Sequence, residues 1–109
     1  MDATAKSEQA TVWIRRLKEA RHAAGLSQHQ LGIAAGLDEG VASTRINRYE
    51  VGVHRPDYGI AVKLARALSV PVAYLYCDDD LMAQTLLALH RAPVALRQRV
   101  LTLLQESAT

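Results

Sequence analysis

At 109 residues the chain has the length of one domain with a short appendage. Half of its residues are hydrophobic, but with one Trp and no Phe the core should be aliphatic and helix-packed. The net charge of +2 is too small to identify a partner, the single Cys77 excludes an intramolecular disulfide and suits a reducing compartment, and no run approaches a membrane span.

Residues 1–10 are polar and read as a flexible N-terminus rather than a secretion signal, so a cytoplasmic protein is expected. A first helix is predicted over residues 11–24, with Ile14, Leu17 and Ala24 on one stripe and Arg15, Arg16, Lys18 and Glu19 mostly outside it. Gly25 ends it. Ser27 is a good N-cap for a second, short helix over residues 28–35, closed by Gly36. A third helix ends before Gly52, and "VHRPD" is a loop, because Arg55 precedes a proline. A fourth helix over residues 58–68 turns Ile60, Leu64, Ala65 and Leu68 inward, and "SVPVAYLY" restarts as a short fifth with Val72 and Leu75 buried. After Asp78-Asp79-Asp80, two further amphipathic segments are split at Pro93. No stretch alternates as a strand does, so the fold class is all-α. The domains predicted are a flexible 1–10, a body over 11–77 and a C-terminal helical segment over 78–109.

The body is locally basic: from Arg15 to Arg66 there are nine Lys/Arg against five Asp/Glu. That suits nucleic acid without requiring it. Two short helices broken by a glycine form a helix-turn-helix. Three pieces in order, "RHAAGLSQHQLGIAAGL", "RINRYEVG" and "RPDYGIAVKLARALSVPVAYL", carry a resemblance to the DNA-binding domain of the lambda-repressor and Cro-like (XRE-type) transcriptional regulators. The resemblance covers residues 13–75 and implies a five-helix lambda-repressor-like domain, followed here by the C-terminal appendage.

One stretch departs from the family pattern. Ile46 follows Gly36 by ten residues. Relatives have about six, so roughly four residues are extra, about 1.1 helical turns, 6 Å and 40° of phase. Added helix would therefore leave Ile46 and Tyr49 facing the core. Asp38 is a good N-cap and Glu39 suits a helix N-terminus, so we expect the third helix to be extended back to Asp38. Gly40 inside its first turn costs about 1 kcal/mol against alanine. The rival arrangement leaves residues 37–40 as a longer turn, with the helix starting at Val41.

On either path Ala42, Ile46 and Tyr49 face inward at i, i+4, i+7, and Thr44, Arg45 and Arg48 face out, flanked by Ser43 and Asn47. The resemblance implies base contacts from Ser43, Thr44, Asn47 and Arg48. Their chemistry fits: arginine pairs bidentately with guanine, asparagine with adenine, and the threonine methyl meets that of thymine. It also implies phosphate contacts from Gln28, His54 and Arg55, and a structural salt bridge between Arg21 and Glu50. The partner implied is double-stranded DNA, with no cofactor. One helix-turn-helix covers few base pairs, so a repressor acting as a homodimer on a palindromic operator is expected. It would be held through the apolar residues after Asp80: Leu81, Met82, Leu86, Leu89, Leu96, Val100, Leu103 and Leu104. The rival from another class is an antitoxin or other interaction module that holds a protein partner through the C-terminal helices.

Other chemistry finds little support. His22, His29, His54 and His90 share no metal-ligand spacing with Cys77 or with one another, so no metal is expected. Three successive aspartates cannot converge on an ion as a cage does, and read as a solvated linker that caps the next helix. No phosphate loop or nucleophile motif is present, and no enzymatic activity is expected.

Overall fold

A computed structural model of the protein describes residues 3–108, with side chains from residue 12 onward. Its helices are α1 (Ala3–Ala23), α2 (Gln28–Ala34), α3 (Ala42–Glu50), α4 (Tyr58–Leu68), a 3-10 helix (Val72–Tyr76), α5 (Asp80–Arg91) and α6 (Val94–Ser107). No strand occurs among the described residues. The backbone of α1 is helical from Ala3, ahead of the Thr11 start expected, through a run with no Gly or Pro to interrupt it. Met1 and Asp2, part of the expected flexible N-terminus, lie outside the described residues.

Trp13, Leu17 and Ala20 of α1 pack on Leu31, Ile46, Leu64 and Leu75, which come from α2, α3, α4 and the 3-10 helix. Leu17, Leu31, Ile46, Leu64 and Leu75 are fully buried. Burial of that kind contributes about 1.5–3 kcal/mol per side chain. The helix starts follow from local chemistry. Ser27 and Gln30 form a reciprocal capping box, Gln30 N–H to Ser27 Oγ at 3.0 Å and Ser27 N–H to Gln30 Oε1 at 2.9 Å. Asp57 caps α4 by accepting from the Ile60 N–H at 2.9 Å, and Asp79 caps α5 by accepting from the Met82 N–H at 2.7 Å.

The extra residues before α3 do not extend it. The helix begins at Ala42, its cap residue Val41 supplies no side-chain hydrogen bond, and residues 38–41 form a turn closed by the Val41 N–H on the Asp38 carbonyl at 3.0 Å. The expectation of an Asp38-capped extension is thereby corrected. The reason lies upstream. Gly36, at φ +85°, closes α2 with its N–H on the Ile33 carbonyl, while the Leu37 N–H reaches the Gly32 carbonyl. This paired ending places the following residue against its own helix, and Leu37 is buried there. The chain therefore leaves α2 pinned at Leu37, and Gly40 makes the next few residues poor helix formers.

The C-terminal segment behaves in two ways. α5 returns to the body: Ala83 is fully buried and Leu87 packs against the core. α6 has no buried residue. The radius of gyration, 15.7 Å, exceeds the roughly 13 Å of a compact chain of this length, as befits a helix outside the main core.

A second correction concerns Arg16, expected outside the α1 stripe. It is 2% exposed. Its Nε donates to the Cys77 carbonyl at 2.8 Å and its Nη2 to Asp80 Oδ1 at 2.9 Å, and the guanidinium lies 5.5 Å from the centre of the Tyr74 ring. Arg15 donates to the same Asp80 oxygen at 3.0 Å. Asp80 is thus no free linker residue: hydrogen bonds from Arg15 and Arg16 hold its carboxyl below the usual carboxylate range.

Candidate nucleic-acid interface

α2 and α3 cross at Gly32. A Cβ placed there would lie 2.6 Å from Ala42 Cβ and 2.9 Å from Ala42 Cα and O. Only glycine lets the two backbones approach so closely. The crossing sets the rotation of α3, whose Ala42, Ile46, Tyr49 and Glu50 are buried. Ser43, Thr44, Asn47 and Arg48 occupy the opposite, exposed side, brought together on one face.

That face is braced from behind. Arg21 grips Glu50 with two bonds, Nε to Oε2 at 2.6 Å and Nη2 to Oε1 at 3.0 Å, and donates from Nη1 to the Leu26 carbonyl at 3.0 Å. The planar fork matches the carboxylate, so α1 and the end of α3 are held in one orientation. Gln28 joins the same network: its Nε2 donates to Glu50 Oε1 at 3.2 Å and to Asn47 Oδ1 at 3.3 Å. Both N–H groups of the Gln28 amide are therefore engaged. For its side chain to donate elsewhere, one of these bonds must open.

His54 and Arg55 are exposed in the loop between α3 and α4, away from the Ser43–Arg48 face along the chain. The His54 N–H reaches back to the Arg48 carbonyl at 3.3 Å, which ties the start of this loop to the end of α3. Arg55 lies near Tyr76, whose hydroxyl is pushed above its ordinary pKa by burial, with the Arg55 charge opposing that shift. The turn before α3 adds two exposed acids, Asp38 and Glu39, near the other end of the helix. The interface is thus basic toward Arg48 and Arg55 and acidic toward residues 38–39.

Arg45 departs from the simple outward reading. It is half-buried and donates from Nη2 to the Tyr49 hydroxyl at 2.7 Å. The i, i+4 spacing of an arginine before a tyrosine was the available signal for that contact. Nothing so local announces the Gln28–Asn47 bond, which joins two helices. Among the described residues no group of His, Cys, Asp and Glu could hold a metal ion, and no helix is long and apolar enough to cross a membrane.

Comparison with known proteins agrees with this geometry. The chain matches the helix-turn-helix family HTH_3 over residues 17–75. It is similar to the crystal structure of transcriptional regulator BswR, with a TM-score of 0.78 and 39% sequence identity over 85% of this chain and 92% of that one. That coverage is larger than residues 1–75 could fill, so the likeness runs into the C-terminal segment. Comparison with curated protein sequences gives no match. The family match over more than half of the chain, carried by an all-helical fold with α2 and α3 crossing at a glycine, shows that this chain belongs to the XRE-type helix-turn-helix family of DNA-binding transcriptional regulators.

Proposed function

We propose that the protein is a sequence-specific repressor that binds duplex DNA as a homodimer on a palindromic operator, with α3 in the major groove. The observation that carries this reading is the exposed face of Ser43, Thr44, Asn47 and Arg48 on a helix whose other side is locked to the body. Arg48 offers a bidentate donor pair for guanine and Asn47 a donor and acceptor for adenine. Gln28, His54 and Arg55 supply backbone contacts that set the register.

Energetics and α6 both support dimerisation. One helix-turn-helix reads few base pairs, too few to discriminate against a genome of competing sites. Two copies on a two-fold axis place their recognition helices about 34–36 Å apart. α6 supports the pairing because Leu96, Leu103 and Leu104 remain 44–63% exposed along one side of it. A self-complementary contact needs only one such patch per chain. α5 belongs with the body, so the informative deletion ends the chain at Ala92 and removes α6 alone.

Selection of bound duplexes from a random DNA pool tests the reading. It should return two inverted half-sites spaced by about one helical turn. On that operator Arg48→Ala should weaken binding by about 1–3 kcal/mol while leaving random-duplex binding little changed. Equal losses on both duplexes would remove Arg48 as a base reader, and failure to enrich any sequence would overturn sequence-specific binding. In sedimentation runs at micromolar concentration the full chain should be a dimer and the chain ending at Ala92 a monomer. A monomeric full chain would reassign the α6 stripe to a different protein, as in the antitoxin arrangement.

A further inference from the structure

The arginines that touch the folded body differ in one respect. Arg15 and Arg16 each meet a carboxylate of Asp80 or Glu19, and Arg21 meets Glu50. Arg45 is half-buried yet meets no carboxylate among the described residues. Its hydrogen bond goes to a neutral group, the Tyr49 hydroxyl one turn along α3, and its guanidinium lies 5.8 Å from the centre of that ring. An arginine whose stem lies along the body while its guanidinium has no counter-ion keeps its charge available to an external anion.

Its place on the helix says what that could be. Successive residues turn by about 100° around a helix axis, which puts Arg45 at one edge of the Ser43–Arg48 face. Gln28 lies at the other edge, bonded to Asn47 and Glu50. A helix seated in a major groove has a phosphate strand along each of its edges. Tyr49 is itself 4% exposed, so its hydroxyl is a fixed acceptor that orients the guanidinium with its remaining N–H groups unspent. Such a group suits a phosphate, which it can grip with two donors at once.

We propose that Arg45 is a backbone-phosphate contact that brackets the recognition helix on the edge opposite Gln28, with the Tyr49 hydroxyl as its positioning group. The inference rests on the DNA-binding reading above and assigns to that interface a residue outside the base-reading set. A phosphate carries no sequence information, so Arg45 adds affinity and register but no discrimination.

The test is binding of the full chain to two duplexes, the selected operator and an unrelated sequence, followed by fluorescence anisotropy across a range of salt concentrations. Neutralising one phosphate contributes about 0.9 to the slope of log K against log salt. Arg45→Gln keeps a polar side chain with an amide donor, though a shorter one, and removes the charge. It should weaken binding to both duplexes by the same factor and flatten the slope by about 0.9 for each DNA site occupied by one chain. Arg45→Lys should retain the slope. Tyr49→Phe should retain the slope as well while weakening both duplexes, because the charge remains and only its orientation is lost. An unchanged slope in Arg45→Gln, in a chain whose circular dichroism and melting match the parent, would overturn the proposal. A loss confined to the operator would do so too, making Arg45 a base reader. If the parent chain binds neither duplex, the DNA-binding reading itself fails, an outcome distinct from both. Should Arg45→Gln fold poorly, Arg45→Lys decides: a folded lysine variant with a flattened slope contradicts the assignment.

Discussion

Two arginines on α1, five positions apart, clasp two different parts of the molecule by opposite arrangements. Arg21 reaches Glu50 on α3, and there the carboxylate is the buried partner, 2% exposed against 12% for the arginine. Arg16 reaches Asp80 at the start of α5, and there the arginine is buried at 2% while the carboxylate is 78% exposed. The first pair is sealed at both ends, so each charge depends on the other. The second is open to solvent on one side, and Arg16 keeps the Cys77 carbonyl and Glu19 as further partners. The joint to α3 is therefore stiff and intolerant of loss. The joint to the appendage is redundant and sensitive to solution conditions.

The largest effect should come from Arg21→Ala. It leaves Glu50 buried with only Gln28 to bond, and breaking one side of a buried pair costs about 3–5 kcal/mol. Urea denaturation measures it. The double variant Arg21→Met with Glu50→Leu removes both charges and should recover much of the loss. A loss below about 1 kcal/mol in Arg21→Ala, the range of surface pairs, would erase the distinction between the two clasps.

Gly32→Ala probes the same stiff joint from its other side. The added methyl meets the Ala42 backbone as well as its Cβ, so α3 must move. Overpacking of this kind costs about 1–3 kcal/mol, and operator binding should fall further than stability alone explains because the reading face shifts with the helix. Gly40 is the control. Nothing lies within 4 Å of a Cβ there, and its φ is not positive. Gly40→Ala should be neutral or stabilising by up to about 1 kcal/mol through the unfolded chain. A large loss at Gly40 would mean that the turn before α3 carries a contact of its own.

The difference between the joints also explains what could be read in the sequence. α2 starts where Ser27 announces it, and Asp57 caps α4 at the start that the loop proline and the apolar spacing indicate, because capping is settled by residues a few positions apart. The outward face of α3 follows from i, i+4, i+7 spacing, and the Arg21–Glu50 contact from the family resemblance. The start of α3 departs from its sequence signal because Asp38, a valid local cap, loses to Leu37, whose burial is a tertiary matter. Arg16 departs from its expected place for the same kind of reason. Two of its partners, the Cys77 carbonyl and Asp80, lie more than sixty residues away, and an arginine beside a stripe of Leu and Ile looks like an ordinary surface residue. The Gln28–Asn47 bond was hidden likewise, since it depends on how closely two helices cross. Local chemistry thus sets where these helices begin and which way they face, unless a buried side chain nearby overrules it.

Among the changes that touch either joint, the smallest effect should come from Asp80→Asn, and its pH dependence is the sharper observable. The Asp80 carboxyl is held below its ordinary pKa by hydrogen bonds from Arg15 and Arg16, so folding favours its charged form. A depressed pKa contributes stability that is present in full above the unfolded-state value and is lost as pH falls through the folded-state value. The parent and Asp80→Asn should therefore differ by a constant amount from neutral pH down to the ordinary carboxylate range. Below that the curves should converge. Added salt should narrow the gap at neutral pH, because the carboxylate faces water. The asparagine can still accept from Arg16, and Asp79 still caps α5, so the neutral-pH difference should be far smaller than that of Arg21→Ala. Melting midpoints of both chains, measured from neutral to strongly acid pH at two salt concentrations, give the comparison. A gap that persists unchanged into strong acid would show that the Asp80 side chain acts through its shape and not its charge, and the appendage joint would then lose its ionic character.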